Sequence, residues 1–221
     1  MTTRRPALWS TLIALPFLAV GTYVVLSRRT GTIQPVLDLQ HPRFFGVPML
    51  LFGLFIVIVG LYVQFIEVPD PYLKETEERL MRKEPTQKVA RAKILASVPL
   101  LVATVYLLEA TTVPYVYPFA MFLAGLYFMS AGLYRYWRNT LQTYYVTSER
   151  VISNYRFFHH SLKEIPTEKI RGIQERRSPM EGMLGIGSVT IASSGGGGAV
   201  RMNVVNIVDP SEFANEIRSL R

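Results

Sequence analysis

The chain has 221 residues, 49% of them hydrophobic, no cysteine and a formal net charge of +8. Without cysteine there are no disulfides and no thiolate metal sites. Beside long apolar blocks, an excess of Lys and Arg points to positive-inside anchoring and anionic lipid headgroups, and away from nucleic acid as a partner.

A helix needs about 20 predominantly apolar residues to cross a bilayer. Four stretches meet or approach that length: 7–27, 44–66, 94–113 and 118–136. The first follows Arg4 and Arg5 as a signal peptide would, but no small-x-small cleavage site comes before Arg28-Arg29, so it reads as an uncleaved anchor. The 67–93 loop carries Lys74, Arg79, Arg82, Lys83, Lys88, Arg91 and Lys93, whereas the 109–117 turn has no Lys or Arg. This asymmetry places the N-terminus, the 67–93 loop and the last third in the cytoplasm, with Arg28, Arg29 and Arg43 dissenting. Trp9, Tyr23, Tyr62, Tyr115, Tyr117, Tyr136 and Trp137 lie near span ends, as in an aromatic belt.

The two pairs of spans read either as a duplication or as the chance recurrence of Leu, Gly and Tyr in membrane helices. LPFLAVGTYVVL aligns with VPLLVATVYLLE, matching Pro16 with Pro99 and Tyr23 with Tyr106, and GLFIVIVGLY aligns with GLYFMSAGLY. In each second helix two glycines recur at a heptad interval, Gly53 with Gly60 and Gly125 with Gly132. That spacing puts each pair on one face, where small residues let helix backbones approach, so these four are the candidate helix-packing residues.

Between the hairpins, DPYLKETEERLMRKEP predicts a short amphipathic helix. Asp70 is its cap, Pro71 sits in its first turn, and Glu75–Arg79 and Glu78–Arg82 are spaced for ion pairs.

From Gln142 the period changes. QTYYVT, a tight turn at Ser148-Glu149, RVISNYR, HHSLKEIP and EKIRGIQER read as strands. SPMEGMLGIG is a loop or one helical turn, and SVTIAS and VRMNVVNI follow as strands. DPSEFANEIRSLR closes the chain as an amphipathic helix, with Asp209 as cap, Pro210 first, Glu212 at capping-box spacing and Phe213, Ile217 and Leu220 as its apolar stripe. The fold class is therefore a membrane region of four transmembrane helices in two hairpins, followed by a small cytoplasmic β-barrel or sandwich with a C-terminal helix. The expected partition is a first transmembrane hairpin at 1–66, a cytoplasmic linker with the short amphipathic helix at 67–93, a second hairpin at 94–137 and the cytoplasmic domain at 138–221.

YYVTSERVI, IPTEKIRGI, MLGIGSVTI and VVNIVDPSEFANEI, in that order, resemble the bacterial pleckstrin-homology-like domain of the YdbS-like membrane group. The resemblance covers about 93–221. It implies a barrel-like sheet with a C-terminal helix, membrane attachment and no known catalytic residues.

Candidates for chemistry are few. The glycines of MLGIGSVTIASSGGGGAV suggest a phosphate cradle, but no Lys follows the last glycine, and the β-branched run after Gly187 is a strand, not a helix. Gly185 and Gly187 read instead as a tight turn into a strand, and Gly195–Gly198 as a hairpin tip. His159 and His160 are adjacent, so on a strand they face opposite ways and do not share a metal. Glu109 ends a span, and no acid inside the other spans completes a proton relay. Lys169, Arg171, Arg176 and Arg177 are the candidate headgroup contacts. No catalytic, cofactor-binding or metal-binding residue is identified. The functional expectation is a non-enzymatic polytopic membrane protein whose domain serves protein binding, self-association or assembly; its partners are membrane lipids and a protein or a further copy of itself. The alternatives are an accessory subunit of a larger membrane complex and, from another class, a small transporter or membrane enzyme.

Overall fold

The computed structural model describes residues 6–30, 43–195 and 198–220. Residues 31–42, expected as the outer loop of the first hairpin, and 196–197, part of the expected glycine tip, lie outside the described residues. The chain forms two units, each built from two separate pieces. One comprises Met1–Phe65 and Ala90–Trp137; the other comprises Ile66–Val89 and Arg138–Arg221.

The first unit is helical. Four helices among the described residues are long and apolar enough to cross a membrane: α1 (Pro6–Thr30), α2 (Arg43–Phe65), α3 (Lys88–Ala110) and α4 (Val116–Thr140). Pro16, Pro48 and Pro99 lie inside these helices. A proline there is tolerated because the neighbouring helices and side chains take up the freed backbone groups. Aromatic edges join α2 to α4, with Phe45 against Phe119 and Phe122, and Phe55 against Trp137. The indole Nε1–H of Trp137 donates to Ser10 Oγ at 3.1 Å, a buried bond between α4 and α1.

The second unit is a two-sheet sandwich. One sheet has the order β1-β2-β3-β4, from β1 (Arg79–Lys83), β2 (Gln142–Thr147), β3 (Arg150–Arg156) and β4 (His160–Pro166). The other is β5-β6-β7, from β5 (Ile170–Arg176), β6 (Ile186–Gly195) and β7 (Gly198–Val208). Every pairing is antiparallel. Inward residues of both sheets, Tyr144, Val146, Val151 and Ile165 against Val189, Ile191, Met202 and Val204, form one core. α6 (Pro210–Ser219) closes it with Phe213, Ala214 and Ile217, while Leu220 packs at its margin. Burial pushes the Tyr144 hydroxyl up to about 12, and that oxygen accepts from the Val205 N–H at 3.1 Å.

The short amphipathic helix expected in 67–93 is absent. The same residues give an irregular strap, with a turn at 75–76, and then β1, which pairs with β2 from Arg79 opposite Thr147 to Lys83 opposite Tyr144. Helix propensity is a weak prior that tertiary pairing overrides. Here the proposed i,i+4 partners are taken elsewhere: Arg79 and Arg82 lie over the Tyr145 ring, and Arg82 pairs with Glu84. The segment is thus part of the sandwich rather than a linker.

The expected capping box of α6 is also absent. Asp209 is left-handed, at φ 50, and its side chain makes no cap bond, while Glu212 is held by Lys83 Nζ at 2.5 Å. The capping box occurs instead at α5 (Pro179–Met183), between Ser178 and Glu181.

Candidate functional site

The strap is clamped to the β2–β3 face by polar bonds. Arg150 is the hub. Its Nε and Nη2 form a fork on Glu77, at 2.9 and 2.8 Å; Nη1 reaches Glu164 Oε2 at 2.6 Å, and Nη2 also donates to the Tyr72 carbonyl at 2.8 Å. Planar guanidinium against carboxylate is the strong form of charge-assisted hydrogen bond. Thr147 Oγ1 donates to Glu77 Oε1 at 2.6 Å. The Glu77 side chain has no exposed surface, and the Arg150 bonds hold its carboxyl down at about 2. The same pairing raises the Arg150 guanidinium further.

The remaining bonds run the length of the strap. Arg156 Nη1 donates to the Glu67 carbonyl at 3.0 Å, Asn154 Nδ2 to the Pro69 carbonyl at 2.6 Å and Tyr145 OH to Asp70 Oδ1 at 2.8 Å. Lys74 Nζ donates to Glu149 Oε2 at 2.6 Å, which raises the lysine pKa. Burial, helped by Asp70, also raises that of Tyr145. After β1 the chain is stapled again, with Thr86 N–H donating to the Asn206 carbonyl at 2.7 Å and Asn139 Nδ2 to the Thr86 carbonyl at 3.0 Å. Asn206 lies at φ 56, within an irregular stretch of the β6–β7 ladder. Sequence reasoning missed this clamp. Glu77 stands in the acidic run ETEE, and nothing local sets it apart from its neighbours.

The four candidate glycines lie inside the helical hairpins. A Cβ at Gly53 would sit 2.8 Å from Leu18 Cγ, and one at Gly125 2.7 Å from Leu101 Cδ2. A Cβ at Gly60 would collide with Ser10, and one at Gly132 would lie 2.9 Å from the Ile94 amide nitrogen. Leu18 and Leu101 each stand two residues after the aligned prolines Pro16 and Pro99. Both hairpins therefore bring an equivalent leucine against an equivalent glycine.

Lys169, Arg171, Arg176 and Arg177 are exposed; Arg177 Nη2 donates to Ser211 Oγ at 2.7 Å, and Ser211 in turn donates to Glu175 Oε2 at 2.9 Å. Gly185 has φ 64, the left-handed conformation that favours glycine. A Cβ at Gly187 would lie 2.9 Å from both Arg177 Cγ and Pro210 Cγ. β6 and β7 pair out to Gly195 opposite Gly198. The two histidines diverge: His160 Nε2 lies 3.0 Å from Asn154 Oδ1, while His159 packs edge-on against Tyr155. Among the described residues no group of three or more His, Asp or Glu is placed to hold a metal.

Residues 95–221 match the family described as Bacterial PH domain. No curated protein and no solved structure matches the chain. The matched region begins after β1, so it leaves out both that strand and the strap.

Proposed function

This chain belongs to the bacterial PH domain family, and from that premise we propose that it is a non-enzymatic, membrane-held binding module. Its sandwich recruits a protein partner, or a further copy of itself, to the cytoplasmic face. The observation that carries this reading is the ladder between β1 and β2. It makes the domain depend on a segment that leads from α2 into α3, so the chain enters the domain from α2, leaves it into α3 and returns to it from α4. A domain built that way is not a detachable effector; it is suited to work where the helices are. The Lys and Arg excess of 67–93 supports a cytoplasmic location. The four ordered motifs support the finer likeness to the YdbS-like group.

The contact surface best suited to a partner is the open edge of β4, which pairs with β3 alone in its sheet. Leu162 is 44% exposed on it, and Phe158 in the preceding turn is 72% exposed. An edge strand of this kind accepts an added strand through main-chain hydrogen bonds. The test is purification of the full chain in mild detergent with identification of co-purifying proteins, alongside Leu162→Pro, which removes an outward-facing N–H of the β4 edge, and Phe158→Ser. Specific proteins, or self-association, lost in both variants while the thermal transition is kept would support the reading. Equal recovery from all three proteins contradicts it.

A further inference from the structure

α1 and α3 face each other across a crevice within the helical unit. Its two long walls are helical stripes, Ile13, Phe17 and Val20 on α1 and Val98, Val102 and Val105 on α3, running from Ile94 to Leu108, and residues of α2 and α4 also line it. The crevice has a volume of about 450 Å³, or about 1230 Å³ counted out to its open side. At one end it continues, through the shared residues Ile13 and Ile94, into a second hollow of about 380 Å³. That hollow is lined by Trp9, Ser10, Tyr136 and Arg91. Arg91 is exposed and, among the described residues, makes no hydrogen bond or ion pair.

The dimensions select the occupant. From Ile94 to Leu108 the α3 wall is about 21 Å long at an α-helical rise. Spread over that length, even the larger volume gives a cross-section of about 60 Å², less than the roughly 80 Å² of an α-helix about 10 Å across. The crevice is thus too narrow to enclose a whole helix but wide enough for hydrocarbon chains. A leaflet of the bilayer core is about 15 Å thick, so a whole acyl chain can lie in the crevice. At the mouth, Arg91 supplies a cation for a phosphate, and Trp9 and Tyr136 have the amphipathic rings that settle at headgroup level.

We propose that the α1–α3 crevice is a binding site for one glycerophospholipid of the surrounding bilayer, with its phosphate at Arg91 and an acyl chain between the two stripes.

The test uses full-length protein reconstituted with phosphatidylglycerol, extracted into detergent, washed and weighed intact by native mass spectrometry. The wild-type protein is expected to retain about one phosphatidylglycerol per chain. Arg91→Gln lowers retention at least fivefold, and so does the crevice-filling pair Val98→Phe with Val102→Phe. The controls Arg135→Gln and Leu54→Phe keep it. Unchanged thermal transitions show that the Arg91 variant is folded. Equal retention in all variants, or equal loss in the controls, overturns the proposal. So does a disulfide-linked dimer through Val102→Cys, which would place a second copy over the crevice.

Discussion

Lys83 lies opposite Tyr144 in an antiparallel ladder, although the whole of α3 and α4 separates them in the chain. A pairing of this kind requires 66–89 and 138–221 to be on one side of any membrane that the helices cross. The sheet thereby ties together two stretches that the hydropathy pattern treats as a linker and a domain.

That relationship predicts sidedness. Cysteines introduced at Lys83 and at the exposed Thr112, in a chain with none of its own, should react with an impermeant maleimide from opposite sides. Lys83→Cys should be labelled only from the cytoplasm, as the Lys and Arg asymmetry requires. Labelling of both from the outside removes the assigned orientation.

The clamp predicts an acid-sensitive domain. The Glu77 carboxyl is held at about 2 by Arg150, below its ordinary value of 4.5. A depressed carboxylate adds stability that is fully present above the unfolded pKa and is lost as pH falls through the folded one. The contribution, on the order of 3 kcal/mol, should therefore fade between about pH 4.5 and pH 2. Glu77→Gln should cost about 3 kcal/mol at neutral pH, because a largely buried guanidinium loses the carboxylate that takes two of its bonds and is left with the partly exposed Glu164. It should also flatten the acid limb of the denaturation midpoint against pH. A variant with the wild-type acid limb would show that the clamp contributes nothing.

Close packing in the hairpins predicts a steric penalty. Gly60→Leu drives into Ser10, whose hydroxyl accepts from Trp137, and Gly132→Leu drives into the α3 backbone at Ile94. Each should lower stability by about 1–3 kcal/mol through overpacking while leaving insertion normal. Ile58→Leu, on a 56% exposed position of α2, serves as the control. Thermal unfolding in detergent decides; transitions that coincide with the control would reduce the glycine pattern to composition.

The four spans, the strand segments from β2 onward and the apolar stripe of α6 were legible because each rests on a local period: apolar length for the spans, alternation for the strands, Phe213 and Ile217 for the helix. The strap and β1 were not. RLMRK is short and charged, its single core-directed residue is Met81, and its identity as a strand is set by β2, far along the chain. DPYLKETEERL satisfies every local rule for a helix, and only the distant Arg150 and Tyr145 show where its Glu77, Asp70 and Arg79 belong. The Glu212 half of the α6 capping box failed for a similar reason, since Glu212 is engaged by Lys83 from the same strand.

The most direct test of the account is whether β1 completes the domain in the intact protein. Met81 and Val146 are ladder partners. In the full chain, with Met81→Cys and Val146→Cys and a protease site inserted in the 111–114 turn, oxidation in native membranes followed by cleavage should leave the two fragments joined on a non-reducing gel. Reductant should separate them, and neither single-cysteine chain should hold its fragments together. Fragments that separate after oxidation, with both thiols still free to alkylate, would contradict a domain built from both sides of the second hairpin.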